Sequence, residues 1–288
     1  MLEFLMNPKK AERRPWEMTI IGFFYTAVAI LVSIFLFHNS IALEKYNSIF
    51  IVTFTTILSI PFMYYIVKLE EKKEKKIKEE TKLIKEHGRA VSALMFLFIG
   101  YILAFSLAYI ALPQDIRDSG FQAQLESYCV INRGDIRNCS NINGLSVTGR
   151  DVGLSLRGVS AILSNNFFVM ITVLLFSFLF GGGAIFILAW NASVIGTAIG
   201  LFSKGAIENI PLSFLRYLVH GLPEIAAYFV AALAGGIISV AVIKHDFGKK
   251  EFWHVMQDSL DLIILALIIL VVAAFMEVFL TPSIMSIF

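Results

Sequence analysis

The sequence predicts an all-α polytopic membrane protein with about six to seven transmembrane segments, one of them a short Gly-rich segment that is broken or re-entrant. Three observations carry this reading. First, of 288 residues 57% are hydrophobic and only 16% charged, with a mean hydropathy of +0.76, whereas a soluble domain carries about 25% charged residues. Second, uncharged apolar runs recur at about the 20 residues that a helix needs to cross a bilayer. Third, Asn165 to Ser203 is a stretch of 39 residues without a formal charge, enough for one full span and a second, shorter segment.

Residues 1–16 join a short apolar patch (Leu2, Phe4, Leu5, Met6) to Lys9, Lys10, Arg13, Arg14 and Trp16. This is the composition of an interfacial segment with its tryptophan at headgroup level. The run Met18 to Phe37 is long, and no small-x-small cleavage pattern follows it, because the next residues are His38, Asn39 and Ser40. It therefore reads as an anchored helix, not a cleaved signal. A second helix, Ser48 to Val67, contains Pro61, where a kink is expected.

Lys68 to Arg89 then carries nine Lys/Arg and six Glu. Opposite charges recur at i,i+3 and i,i+4, the pattern of a solvated helix. Its excess of basic residues places it, and with it the amino terminus, in the cytosol. Such a helix either docks a cytosolic partner or anionic lipid, or simply links two spans. Residues 1–89 thus form an interfacial segment, a two-helix hairpin and a charged cytosolic helix.

A third span runs from Ala90 to Leu112 and stops at Pro113. Gln114 to Ser164 is the one extended polar region and, by alternation, lies outside. It holds Cys129 and Cys139, whose pairing would stabilise the segment by about 2–3 kcal/mol on a chain-entropy estimate. Asn138-Cys139-Ser140 is an acceptor pattern for N-glycosylation. From Val147 the apolar spacing returns to helical period, and a helix on the outer face is expected to lead into Asn165. Residues 90–164 are therefore a third span and an extracellular Cys-containing loop.

Residues 165–288 form a carboxy-terminal membrane bundle. The long run is interrupted at Gly181-Gly182-Gly183 and at Asn191, giving a span Phe167 to Trp190 and a Gly-rich segment Ala192 to Phe202. If that segment crosses the membrane, the span Leu222 to Ile243 ends on the cytosolic side beside Lys244, Lys249 and Lys250, as charge placement favours. The segment Pro211 to Val219, apolar with Arg216, either adds helix length or lies in the interface. The last helix runs from Ser259 to Leu280.

The polar groups of this bundle are Asn165, Asn166, Asn191, His220, Glu224 and Glu277. A carboxylate facing lipid costs roughly 2.5–3.5 kcal/mol, so Glu224 and Glu277 should face protein or water. His220 and Glu224 suit a helix start near Pro223, where they would fix one helix against the broken segment; a proton or ion site is the functional alternative. Gly196 and Gly200 form GxxxG, and Gly235-Gly236 sits among alanines, so these glycines mark close helix packing, within one chain or across a homo-oligomer. Enzyme chemistry is not expected. HxxxE is a two-ligand set, and the frames HExxH, GxSxG and GxxxxGK[ST] are all missing from the sequence. No metal, cofactor or nucleic-acid partner is expected, and the partners are the bilayer and membrane or cytosolic proteins.

Ile162 with Asn165-Asn166, the Gly-rich turn, Asn191 with Gly196, His220-Gly221 with Glu224, Ala234-Gly235, and Met276-Glu277 with Thr281-Pro282 follow one another in an order that resembles the stage II sporulation protein M family of prokaryotic membrane proteins. The resemblance covers chiefly residues 150–288. The start FLMNPKKAERRPWEM is similar to an archaeal branch of the family. The family's namesake acts with cell-wall-degrading partners during engulfment of the forespore, which implies a partner-recruiting scaffold. The alternative is a transporter or channel with a polar site at Asn191, His220, Glu224 and Glu277. A multi-pass cell-membrane protein is implied either way.

Overall fold

In hydrocarbon a chain must satisfy each backbone N–H and C=O within its own segment, so every apolar run closes into a helix. The computed structural model describes residues 8–37, 40, 42–77, 79–133, 156–203, 207–244 and 250–280. Among these residues there are nine α-helices and no strand: α1 Pro8–Arg13, α2 Glu17–Phe37, α3 Asn47–Glu74, α4 Glu80–Ala111, α5 Gln114–Arg133, α6 Leu156–Phe180, α7 Ala184–Phe202, α8 Ile210–Ile243 and α9 Lys250–Phe275, the last continued by a π-turn, Met276–Leu280. Seven are long and apolar enough to cross a membrane, all but α1 and α5. The chain is therefore an all-α multi-pass membrane protein.

Helix α2 lies on α4, and α6 and α9 lie on α8, while α7 is wedged between α4, α3 and α8. Helix α8 is the most enclosed span and α6 the least, so Phe168, Leu179 and Phe180 of α6 remain on the outer surface where lipid would sit. The closest approach is α2 against α4. A Cβ built on Gly100 would stand 2.2 Å from the Thr19 carbonyl oxygen, and one on Gly22 would stand 2.2 Å from that of Leu97. The sequence reading did not single out this pair. Of the four glycines it did single out, Gly196 meets Phe105 and Ile102 of α4, Gly200 meets the Tyr109 ring, Gly235 meets Leu174 of α6 and Gly236 meets Val67 of α3. All four contacts lie within one chain.

The bundle has two unlike ends. At one, here the charged end, the end of α3 and the start of α4 meet α1, the end of α8 and the start of α9. Across the other lies α5. Ser48 of α3 donates to the Ser119 carbonyl at 3.0 Å, Gln124 donates to the Ser48 carbonyl at 3.2 Å, and Phe121 packs edge-on against Phe105 and Tyr109.

Several expected boundaries move. The long uncharged stretch turns at the glycine triplet, where Gly181 has φ +63°, a conformation costly for any residue with a Cβ. Asn191 does not end a span. Its amide donates to the Ile187 carbonyl at 2.8 Å, four residues back in its own helix. The expected short, broken or re-entrant Ala192 to Phe202 is thus the second half of the continuous 19-residue helix α7. Helix α3 continues through Pro61 to Glu74, and α8 is one 34-residue helix that absorbs Pro211 to Val219.

The expected solvated helix Lys68 to Arg89 is instead shared between the end of α3 and the start of α4, with a turn between them. The first 20 residues of the expected outer loop are the helix α5. Cys129 is buried in it; Cys139, Asn138, the amino-terminal apolar patch and residues 147–155 of the expected outer-face helix lie outside the described residues.

Candidate functional site

Helices α6, α8 and α9 bring polar groups together in the half of the bundle nearer α5. Helix α6 carries Asn165 and Asn166. Helix α8 carries Glu224 directly after Pro223, and Tyr228 one turn further on. The π-turn that closes α9 carries Glu277. A π-turn widens a helix by one residue per turn and recurs at functional sites; here it holds the one acid of α9's last stretch against α8. Val159 of α6 packs with Ala274 and Val278 beside it, which fixes α6 against α9.

The side chains form a connected series. Asn165 donates to the Asn166 carboxamide oxygen at 3.2 Å, and Asn166 donates in turn to Glu224 Oε1. Glu277 stands beside Glu224, and Tyr228, 3% exposed, stands beside both. The series starts at an exposed residue, Asn165, and runs through buried Asn166 to half-buried Glu224 and Glu277. Of the six polar residues expected to form a cluster, four therefore meet. Asn191 bonds within its own helix. His220 lies in α8, but its side chain is outside the described set.

A second polar cluster, at the charged end, escaped the sequence reading. The buried stripe of α3 runs Ile51, Val52, Thr55, Thr56, Ser59, Phe62, Met63, Ile66, Val67 and continues in phase through Glu70, Glu71 and Glu74. All three acids are at most 1% exposed. Lys73 reaches Glu70 at 2.7 Å, Glu12 of α1 at 2.7 Å and Glu86 of α4 at 3.1 Å. His87 Nδ1 lies 2.8 Å from Glu70, and its Nε2 lies 3.6 Å from Glu74. Glu71 is matched by Lys75 at 2.9 Å and by Lys244 of α8 at 2.6 Å. Burial, with Glu70 nearby and only partly offset by Lys73, pushes the Glu12 carboxyl up to about 7. The available signal was phase: these glutamates occupy the 3–4 spacing of the apolar stripe, while Lys68 and Lys72 fall off it.

Comparison with known proteins agrees with this architecture. Residues 20–282 match the family model described as Stage II sporulation protein M. Two archaeal relatives, both uncharacterized proteins of Methanocaldococcus jannaschii, are similar to the chain. MJ0793 is 33% identical over 154 residues, which cover 52% of this chain and 84% of the relative. MJ0706 is 26% identical over 189 residues, which cover 64% and 75% respectively. No solved structure matches the chain.

Proposed function

We propose, from the premise that the chain belongs to the stage II sporulation protein M family, that it is a non-enzymatic membrane scaffold that holds a partner protein at the bilayer. The observation that carries this reading is the pinning of α5 across a closely packed bundle. Its inner side is tied to α3 through Ser48 and to the core through Phe121, while Asp118, Gln122 and Glu126 face outward. Beneath it, glycines let backbones approach to contact distance, which limits sliding between helices.

On this reading the Asn165, Asn166, Glu224 and Glu277 series is a fastener between α6, α8 and α9. The charged end faces the cytosol, as its lysines and arginines favour, and α5 faces outside.

A second reading has one observation in its favour: a hydrogen-bonded series that begins at an exposed amide and ends at two facing carboxyls is suited to passing protons or small cations. Two experiments separate the readings. A photo-crosslinking side chain at Glu126 should yield a discrete protein adduct in native membranes, and one at lipid-facing Phe168 should not. Purified protein in liposomes should carry no proton or cation flux above that of empty vesicles. A flux abolished by Glu277→Gln in folded protein would overturn the scaffold reading in favour of transport.

A further inference from the structure

Lys73 is the centre of an unequal charge arrangement drawn from three helices. Its ammonium is shared by Glu12 of α1, Glu70 of α3 and Glu86 of α4 at 2.7, 2.7 and 3.1 Å. The neighbouring basic groups sit on the other two acids: Arg89, half exposed, pairs with the second oxygen of Glu86, and His87 Nδ1 lies 2.8 Å from Glu70, so Lys73 is the cation that Glu12 reaches. Glu74, 1% exposed and with neither oxygen hydrogen-bonded, faces His87 Nε2 at 3.6 Å, and Asp258 of α9 adds its charge to the same region. Lys75 and Lys244 are engaged by Glu71. Within α1, Lys10 is engaged by Glu17 at 2.9 Å, while Lys9 and Arg13 are exposed.

Only one of the three carboxylates sits on an element that can leave. Helices α3 and α4 have 28 and 32 residues and cross the membrane, whereas α1 has six residues and buries Ala11 and the Glu12 side chain. We propose that Glu12, Glu70, Glu86 and Lys73 form a proton-binding site whose occupancy docks α1 on the bundle. With a proton on Glu12 its neutral carboxyl bridges Lys73 and Glu70. When that proton passes to water, an ionised Glu12 faces the Glu70 carboxylate across their shared Lys73 in a largely buried space. α1 then swings out and takes Lys9, Arg13 and Arg14 with it.

The direction of the pH dependence follows from linkage. A carboxyl at about 7 when docked and near 4.5 when free favours docking most below about 4.5, and docking weakens as pH rises through 7. Between pH 6 and pH 8 the docking constant falls about tenfold.

The test uses the full chain in zwitterionic nanodiscs with a nitroxide on Arg13→Cys, the parent chain being treated with the same label as a blank. The ratio of mobile to immobile spectral components is read from pH 5 to 8.5. It should rise about tenfold from pH 6 to 8. Adding Glu12→Gln should hold it constant over that range, and Glu86→Gln should move the midpoint to lower pH, because one negative charge fewer opposes ionised Glu12. A ratio that stays flat with Glu12 in place, or that titrates unchanged in both the Glu12→Gln and Glu86→Gln chains, overturns the proposal.

Discussion

Gly100 and Gly88 lie on the same helix and differ in everything except their side chain. At Gly100 a methyl group would drive into the Thr19 carbonyl at 2.2 Å and the Phe23 nitrogen at 2.7 Å, both backbone atoms that cannot rotate away. Gly100→Ala should therefore part α2 from α4 and destabilise the fold by about 2–3 kcal/mol, the upper range for overpacking. At Gly88 no atom lies within 4 Å, so Gly88→Ala should stabilise by about 0.5–1 kcal/mol through helix propensity alone. Thermal unfolding in one detergent reads both, and equal midpoints for the two variants would contradict the packing argument. Neither contact was legible in the sequence. A glycine declares that a close approach is possible, but only the partner helix says whether it happens.

At the scale of elements, the apolar runs were legible because hydrocarbon leaves a helix as their only solution. Their ends were not. Gly181 and Asn191 are both helix-weakening residues in one uncharged run. The choice between them depends on what each does locally: the glycine takes φ +63°, and the asparagine satisfies its amide on Ile187. Asn191→Ala should accordingly change stability by less than about 0.5 kcal/mol. Gly181→Ala should cost about 1–2 kcal/mol from left-handed strain. Chemical denaturation in mixed micelles checks the pair, and a larger cost at Asn191 would return the break to that residue.

Two other elements were hidden for related reasons. In α5 the apolar side chains Phe121, Leu125 and Cys129 recur at helical spacing, yet Asp118-Ser119-Gly120 reads as a turn when taken alone. In α3 the inward glutamates look like the solvated charges of a linker until they are set in phase with Ile66 and Val67.

At the scale of the whole molecule, the residues legible as a site and those that form it overlap in part. Asn165, Asn166, Glu224 and Glu277 were visible because polar groups in apolar runs are rare and costly. That they meet depends on α6, α8 and α9 converging, and on the π-turn at Met276–Leu280, which no local pattern announces. The charged end shows the converse case. There the individual charges were conspicuous, and it is their burial against α1, α4, α8 and α9 that the chain order conceals. The central claim is that the polar series fastens α6 to α8. A double-mutant cycle with Asn166→Ala and Glu224→Ala, read as unfolding free energy in bicelles, tests it most directly. The expected result is a coupling of about 1 kcal/mol or more, and effects that add to within about 0.3 kcal/mol would contradict it.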